Sequence, residues 1–306
     1  AVRLPADSHE HPAVSRNPAH GRLVADTMST PSTAPAAHEE MLPLPAAATA
    51  ILRLAANERV GVDEIVDTIS TDPAILSEVL RVANLAFVGA RGDVTSLKQA
   101  ALFLGFKRVA GIAAAVALRS SLGSLWNSTE VRRCWLHNLA TALTAEQMAL
   151  VLNIGPDEVY SAGLVHDIGR FVLILKHRGD YVRLLREGPD EERDFRLREG
   201  EQFGIDHTEA GRVLLLKLGL PPVLAEVAAG HHALPTRAAT ETVALTHVAC
   251  RAATAMGCGA LGRNQNLPEN PFADLVDLLP VAQREPLLRN AESLKNVVTT
   301  LVGAYE

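Results

Sequence analysis

The sequence predicts an all-α protein, and three observations carry the prediction. Apolar residues recur at helical spacing in one segment after another. Hydrophobic residues make up 48% of the chain but aromatic residues only 4%, so the core is expected to be packed by aliphatic helices rather than by aromatic and β-branched strands. No segment alternates like a strand, and no internal repeat of short period is present. The expected architecture is an N-terminal multi-helix bundle packed on a second helical domain, behind a disordered leader.

Residues 1–40 contain Pro5, Pro12, Pro18, Pro31 and Pro35 among many Ser, Thr and Ala, with no hydrophobic period. They read as the disordered leader. His9, His11, His20 and His38 fall here without Cys or tight spacing, so a solvated tail is preferred to a metal-binding one. Order begins near Pro45, which suits the first turn of a helix carrying Ile51, Leu52 and Leu54. Val62, Ile65, Val66 and Ile69 lie at i, i+3, i+4, i+7 and form a second helix. Asp72-Pro73 reads as a cap and first turn for a third, burying Ile75, Leu76, Val79, Leu80 and Ala83 until Ala90-Arg91-Gly92-Asp93 breaks it. Ser96 with Gln99 forms a capping box for a fourth, stopped by Gly105, and a fifth runs from Val109 to about Leu122. Helices this short cannot each bury a face alone, so residues 41–125 are expected to pack as a bundle.

The second domain is expected over 126–258. Thr129 caps a long helix, 130–152, carrying His137. A helix over 157–176 follows, with His166 and Asp167 embedded in its apolar run. Residues 187–201 are charge-dense and read as a solvated helix face. Asp206 or Thr208 caps the next helix; a Pro-started helix after Pro221-Pro222 ends at Gly230-His231-His232; and 239–257 form another, with His247, Cys250 and Arg251. Residues 259–306 supply a loop, Leu267 to Pro271, and a terminal helix carrying Leu287, Leu288, Leu294, Val297, Val298 and Leu301, which packs on the second domain or binds a partner.

Composition narrows the function. A net charge of -6 argues against non-specific nucleic-acid binding, while leaving room for a local basic patch. Three cysteines, Cys134, Cys250 and Cys258, are too scattered for a disulfide framework. The longest apolar run, 109–118, is short for a membrane span, and the N-terminus has no secretory apolar region. The expectation is a cytoplasmic protein with no membrane association.

The stretch Ser161–Arg170, SAGLVHDIGR, sets a neutral imidazole beside a carboxylate, a ready pair of metal ligands. Of the 11 histidines, His137 lies one helix upstream and His207, His231 and His232 downstream, at intervals that let consecutive helices converge. Taken singly, each is as readily a hydrogen-bonded core histidine. His232 is the better inward candidate, His231 caps a helix or faces solvent, and His177 and His247 belong to packing or surface. Cys134 shares a helix face with His137 and reads as packing.

That order of histidines resembles the HD superfamily of metal-dependent phosphohydrolases. More specifically, ISTDPAILSEVLRVANLAFVG, VTSLKQAALFLGFKRV, WLHNLA, AGLVHDIGR, FGIDHTEAGRVLLLKLGLPPVLAEVAAGHH and THVACRAA are similar to HDOD domains, HD-related output domains, over roughly residues 41–255. The resemblance implies an HD-like second domain and a role in bacterial signal transduction. It also implies that His137, His166 and Asp167 take the first metal-ligand positions and that His207 and His232 match further histidines of relatives binding more than one metal. Where those relatives carry a distant Asp, this chain has Cys250, which disfavours a hard metal and leaves either a zinc- or iron-like set or simple packing. Arg170 stands where active relatives have a substrate-contacting Lys, and no GYP-type motif follows. The expectation is therefore a regulatory, non-catalytic module that binds signalling proteins or a small nucleotide. The alternative is a phosphohydrolase acting on nucleotides or cyclic dinucleotides.

Overall fold

The computed structural model describes residues 46–55, 61–86, 94–188, 192–235, 240–261, 269–273 and 275–303. The leader, Pro45 and the Ala90–Asp93 break lie outside the described residues. The described elements are helical, with no strand among the described residues. Five short helices come first: α1 (Ala46–Ala55), α2 (Val62–Ser70), α3 (Pro73–Ala86), α4 (Leu97–Leu104) and α5 (Phe106–Ser121). Their starts follow local chemistry. Asp72 Oδ1 accepts from the amides of Ala74 and Ile75, and Ser96 Oγ from that of Gln99. The Gln99 side chain returns to Thr95 N rather than Ser96 N, a capping box displaced by one residue. Helix α5 is the axis of this group and packs against α1, α2, α3 and α4. Its Ala-rich stretch from Val109 to Leu118 is buried throughout.

The second axis is α6 (Thr129–Val151), with Ser128 rather than Thr129 in the capping position. It is buried on nearly every side from Val131 to Ala149, because α7 (Pro156–Val165), α8 (Ile168–Glu187), α12 (Glu241–Ala253) and α13 (Val281–Gly303) all pack on it. The terminal helix therefore joins the core, through Leu287, Leu294 and Val298, while Leu288 and Val297 face solvent. Helices α9 (Glu192–Phe203), α10 (His207–Lys217) and α11 (Pro222–Gly230) complete the described set, α10 lying between α8 and α11. Among the described residues no helix is long and apolar enough to cross a membrane.

The helix expected to run unbroken over 157–176 is two helices. α7 ends at Val165, Asp167 takes φ -111° and ψ 23°, and α8 starts at Ile168. Val165 and Ile168 are both buried, so the hydrophobic period runs across the break and hides it. His166 and Asp167 thus sit on a corner, where both side chains can turn into the same interior space.

Two glycines set how close the surrounding helices come. A Cβ on Gly163 would stand 2.7 Å from Ala142 Cα, which brings α7 against α6. A Cβ on Gly169 would stand 1.8 Å from the His207 carbonyl oxygen and 2.6 Å from Gly211 N, so α8 and α10 touch backbone to backbone. Gly169→Ala must part these helices and is expected to cost about 3 kcal/mol. Gly200→Ala, in open space on α9, should be neutral or stabilising by up to about 1 kcal/mol. Urea unfolding of both variants checks this, and equal midpoints would contradict it.

Candidate metal centre

Each candidate side chain reaches the interior from a different element. His137 comes from α6, His166 and Asp167 from the α7–α8 corner, His207 from the first turn of α10, His231 and His232 from the end of α11, and Cys250 from α12. Asp206 caps α10 by accepting from Glu209 N, which fixes where His207 begins the helix.

The rings are held by their outer nitrogens. His137 Nδ1 donates to the Cys258 carbonyl at 2.8 Å, His166 Nδ1 to the Gly163 carbonyl at 2.7 Å, and His231 Nδ1 to the Ala228 carbonyl at 2.9 Å. His207 Nδ1 donates to Glu199 Oε2 at 2.6 Å. A carbonyl or carboxylate oxygen can only accept, so His137, His166 and His231, whose pKa values burial holds down, carry their lone pairs on Nε2, and His207 does so when neutral. Those atoms converge. His137 Nε2 is 3.3 Å from His166 Nε2 and 3.5 Å from Cys250 Sγ. His207 Nε2 is 3.0 Å from His232 Nε2 and 3.3 Å from Asp167 Oδ1, and His231 Nε2 is 3.7 Å from the same oxygen. Three overlapping groups have donor atoms close enough to share one ion: His137, His166 and Cys250; His166, Asp167 and His231; and His207, His231 and His232.

This donor set fits a divalent cation. Lone pairs facing one another at hydrogen-bond distance repel unless a proton or a metal lies between them. Asp167 Oδ1 and His231 Nε2 are buried with no hydrogen-bond partner, an arrangement that costs stability unless something else satisfies them. Charge points the same way. Asp167, Glu192 and Glu199 face a single guanidinium, Arg170, leaving two negative charges uncompensated when the histidines are neutral. Imidazoles with one thiol favour a zinc- or iron-like ion over magnesium.

Arg170 is spent on its neighbours. It is fully buried, its Nε donates to Asp167 Oδ2 at 2.5 Å, and its Nη2 reaches both Glu192 oxygens at 2.7 Å. Burial alone would raise the Asp167 pKa, but Arg170 and the surrounding histidines outweigh it and hold the carboxyl well below its usual range. For His207, burial and Arg170 push downward, yet Glu199 and Asp167 prevail and the net shift is upward. Burial pushes the Cys134 thiol up to about 12, consistent with packing.

Two expectations need correction. The charge-dense segment before residue 201 is not simply a solvated face. Glu199 on α9 is fully buried, accepts from Tyr181 Oη and orients His207, while Glu192 clamps Arg170. The signal was present as an i, i+7 pair, Glu192 and Glu199, on one helix face, but surrounding charges masked it. His231 caps α11, as one of its two expected roles had it, but does not face solvent: it is 1% exposed and packs edge-on against His166, while His232, which also points inward, is the partly exposed member of the pair. Cys250, for which a zinc-like set and packing were both open, is buried with Sγ 3.5 Å from His137 Nε2. His247, expected in packing or at the surface, is buried, with Nδ1 donating to the His231 carbonyl at 2.8 Å.

Fold and site together define an all-helical domain built around a His-Asp centre. The model of the HDOD domain matches residues 41–234, and the chain belongs to the HDOD family. Solved structures share the fold. A candidate phosphohydrolase from Shewanella amazonensis is 20% identical with a TM-score of 0.67, covering 88% of this chain and 96% of its own. An HDOD domain protein of unknown function from Geobacter sulfurreducens is 23% identical with a TM-score of 0.61, covering 86% and 94%. A candidate signal transduction protein from Marinobacter aquaeolei is 22% identical with a TM-score of 0.57, covering 86% of this chain and 60% of its own. No curated protein matches the sequence.

Burial, reinforced by the neighbouring His166, holds the His137 pKa down at about 4, below its ordinary 6.5. The folded value lies below the unfolded one, so this contribution to stability is complete above pH 6.5 and is lost as pH falls to about 4. The melting temperature of metal-free protein should drop across that window. A flat profile would contradict the assignment of His137 as a buried neutral ring.

Proposed function

We propose that this chain is a non-catalytic signalling module of the cytoplasm whose His-rich centre holds a zinc- or iron-like ion for structure rather than turnover. The observation that carries this reading is closure. His137, His166, Asp167, His207, His231 and Cys250 are each at most 4% exposed. A structural metal site is closed by protein ligands, whereas a catalytic one keeps a position open to water and substrate. In this reading residues 41–125 form a bundle that meets partner proteins and residues 126–258 carry the centre.

The ligands would be His137, His166, Asp167, His207, His231 and His232, with Cys250 in place of a carboxylate. A bound divalent ion supplies a positive charge that satisfies the inward lone pairs and ties α6, α8, α10 and α12 together. Arg170 then acts as a holder: it fixes Asp167 and, through Glu192, docks α9 over the centre. Glu199 fixes the His207 ring and its tautomer. The name of the Marinobacter aquaeolei relative supports a signalling role. The -6 charge supports partners other than nucleic acid.

One observation favours the alternative, a metal-dependent phosphohydrolase of nucleotides or cyclic dinucleotides. The His232 side chain is 17% exposed, so the His207–His232 edge is the nearest to solvent, and a relative is named a candidate phosphohydrolase.

Elemental analysis and a hydrolysis screen separate the two. The purified chain should retain near-stoichiometric zinc or iron, and His166→Ala should lose it. Metal-loaded wild type should hydrolyse phosphodiesters and cyclic dinucleotides no faster than Asp167→Ala. Metal-dependent turnover that vanishes in Asp167→Ala would establish the hydrolase instead.

A further inference from the structure

Outside the His-rich centre, a cavity of about 630 Å³ opens between the first group of helices and α6. Its wall carries four guanidinium groups and one carboxylate: Arg81 and Glu78 from α3, Arg119 from α5, and Arg132 and Arg133 from α6. Glu78 is already engaged, bonding Arg81 at 2.7 Å and Arg119 as well. Among the described residues Arg132 and Arg133 have no such counter-charge. Arg132 donates to the Trp126 and Asn127 carbonyls and to Thr129 Oγ1, and Arg133 donates to the Leu261 carbonyl. Among the described residues neither makes an ion pair with a carboxylate. In a chain of net charge -6, this is a local excess of positive charge lining a concave site.

The rest of the lining is suited to a ring. Trp126, under the Arg119 guanidinium at 4.8 Å, stands beside the apolar side chains of Leu136 and Val302. Guanidinium forks match phosphate oxygens two at a time and stack on planar rings. The volume lies within the usual range for small-molecule sites, about 300–1,000 Å³, and is larger than a lone phosphate needs. We propose that this cavity binds a small phosphorylated anion of nucleoside-monophosphate size, with Arg132 and Arg133 on the phosphate and Trp126, Leu136 and Val302 along the ring. The site is distinct from the His-rich centre and adjoins it. Leu136 precedes His137 on α6, and the backbone of Cys258, which lines the cavity, accepts the His137 Nδ1 hydrogen bond.

Titration calorimetry on the full chain with AMP, GMP, adenosine and inorganic phosphate tests this. A nucleoside monophosphate should bind, adenosine should not, and phosphate should bind more weakly than the nucleotide. Arg132→Gln and Arg133→Gln should each weaken binding by about tenfold or more. Wild-type affinity should fall as salt is added, which keeps the test open even if a variant fails to fold. No binding of either nucleotide at millimolar concentration, adenosine as tight as AMP, phosphate as tight as AMP, or unchanged affinity in folded arginine variants would each overturn the proposal. Repeating the titration on His166→Ala separates it from the metal reading, since loss of metal there should leave anion binding in place.

Discussion

The structure depends on a set of imidazoles whose outer nitrogens are all committed. His137, His166 and His231 each donate from Nδ1 to a main-chain carbonyl, and His207 donates to Glu199. Their second nitrogens have nowhere to point but at one another and at the unpartnered Asp167 Oδ1. A protein interior tolerates such a cluster only if something positive balances it. Arg170 balances part, from one side, through Asp167 Oδ2. The remainder leaves room for a proton or a cation, and the same donor atoms link the helices that carry the rings.

The backbone shows how those helices come close enough. Gly163 lets α7 lie on α6, and Gly169 lets α8 meet the first turn of α10. The Asn138 side chain donates to the Leu164 carbonyl, tying α6 to the last turn before the corner. The corner itself turns His166 and Asp167 inward together, which a continuous helix would not do for adjacent residues, since they point about 100° apart around the axis. Sequence, corner and centre are thus one construction: small residues for approach, a break for direction, and imidazoles for ligation.

Much of this was legible in the sequence. The caps at Asp72, Ser96 and Asp206 announce α3, α4 and α10 through local hydrogen bonds, and local chemistry is what a single sequence records best. His137, His166, Asp167, His207 and His232 were identifiable because ligand-type residues recur on successive helices. The corner at Asp167 was not, since buried apolar residues flank it on both sides and the period gives no warning. Nor was the inward face of α9, where Glu199 and Glu192 hide among charges that do face water. The positions of His231 and Cys250 beside the other rings follow from packing between α6, α11 and α12, long-range information that residue type does not encode.

In the proposed reading, a closed centre that held a cation would fix one part of the domain while another met a partner. If the centre is a structural cross-link, its energy belongs to folding. The most direct measurement is the melting temperature of the purified chain with and without a strong chelator, in wild type and in His166→Ala. The account predicts that chelation lowers the wild-type midpoint by several degrees and leaves the variant unmoved. A wild-type midpoint indifferent to both chelator and added zinc would contradict it.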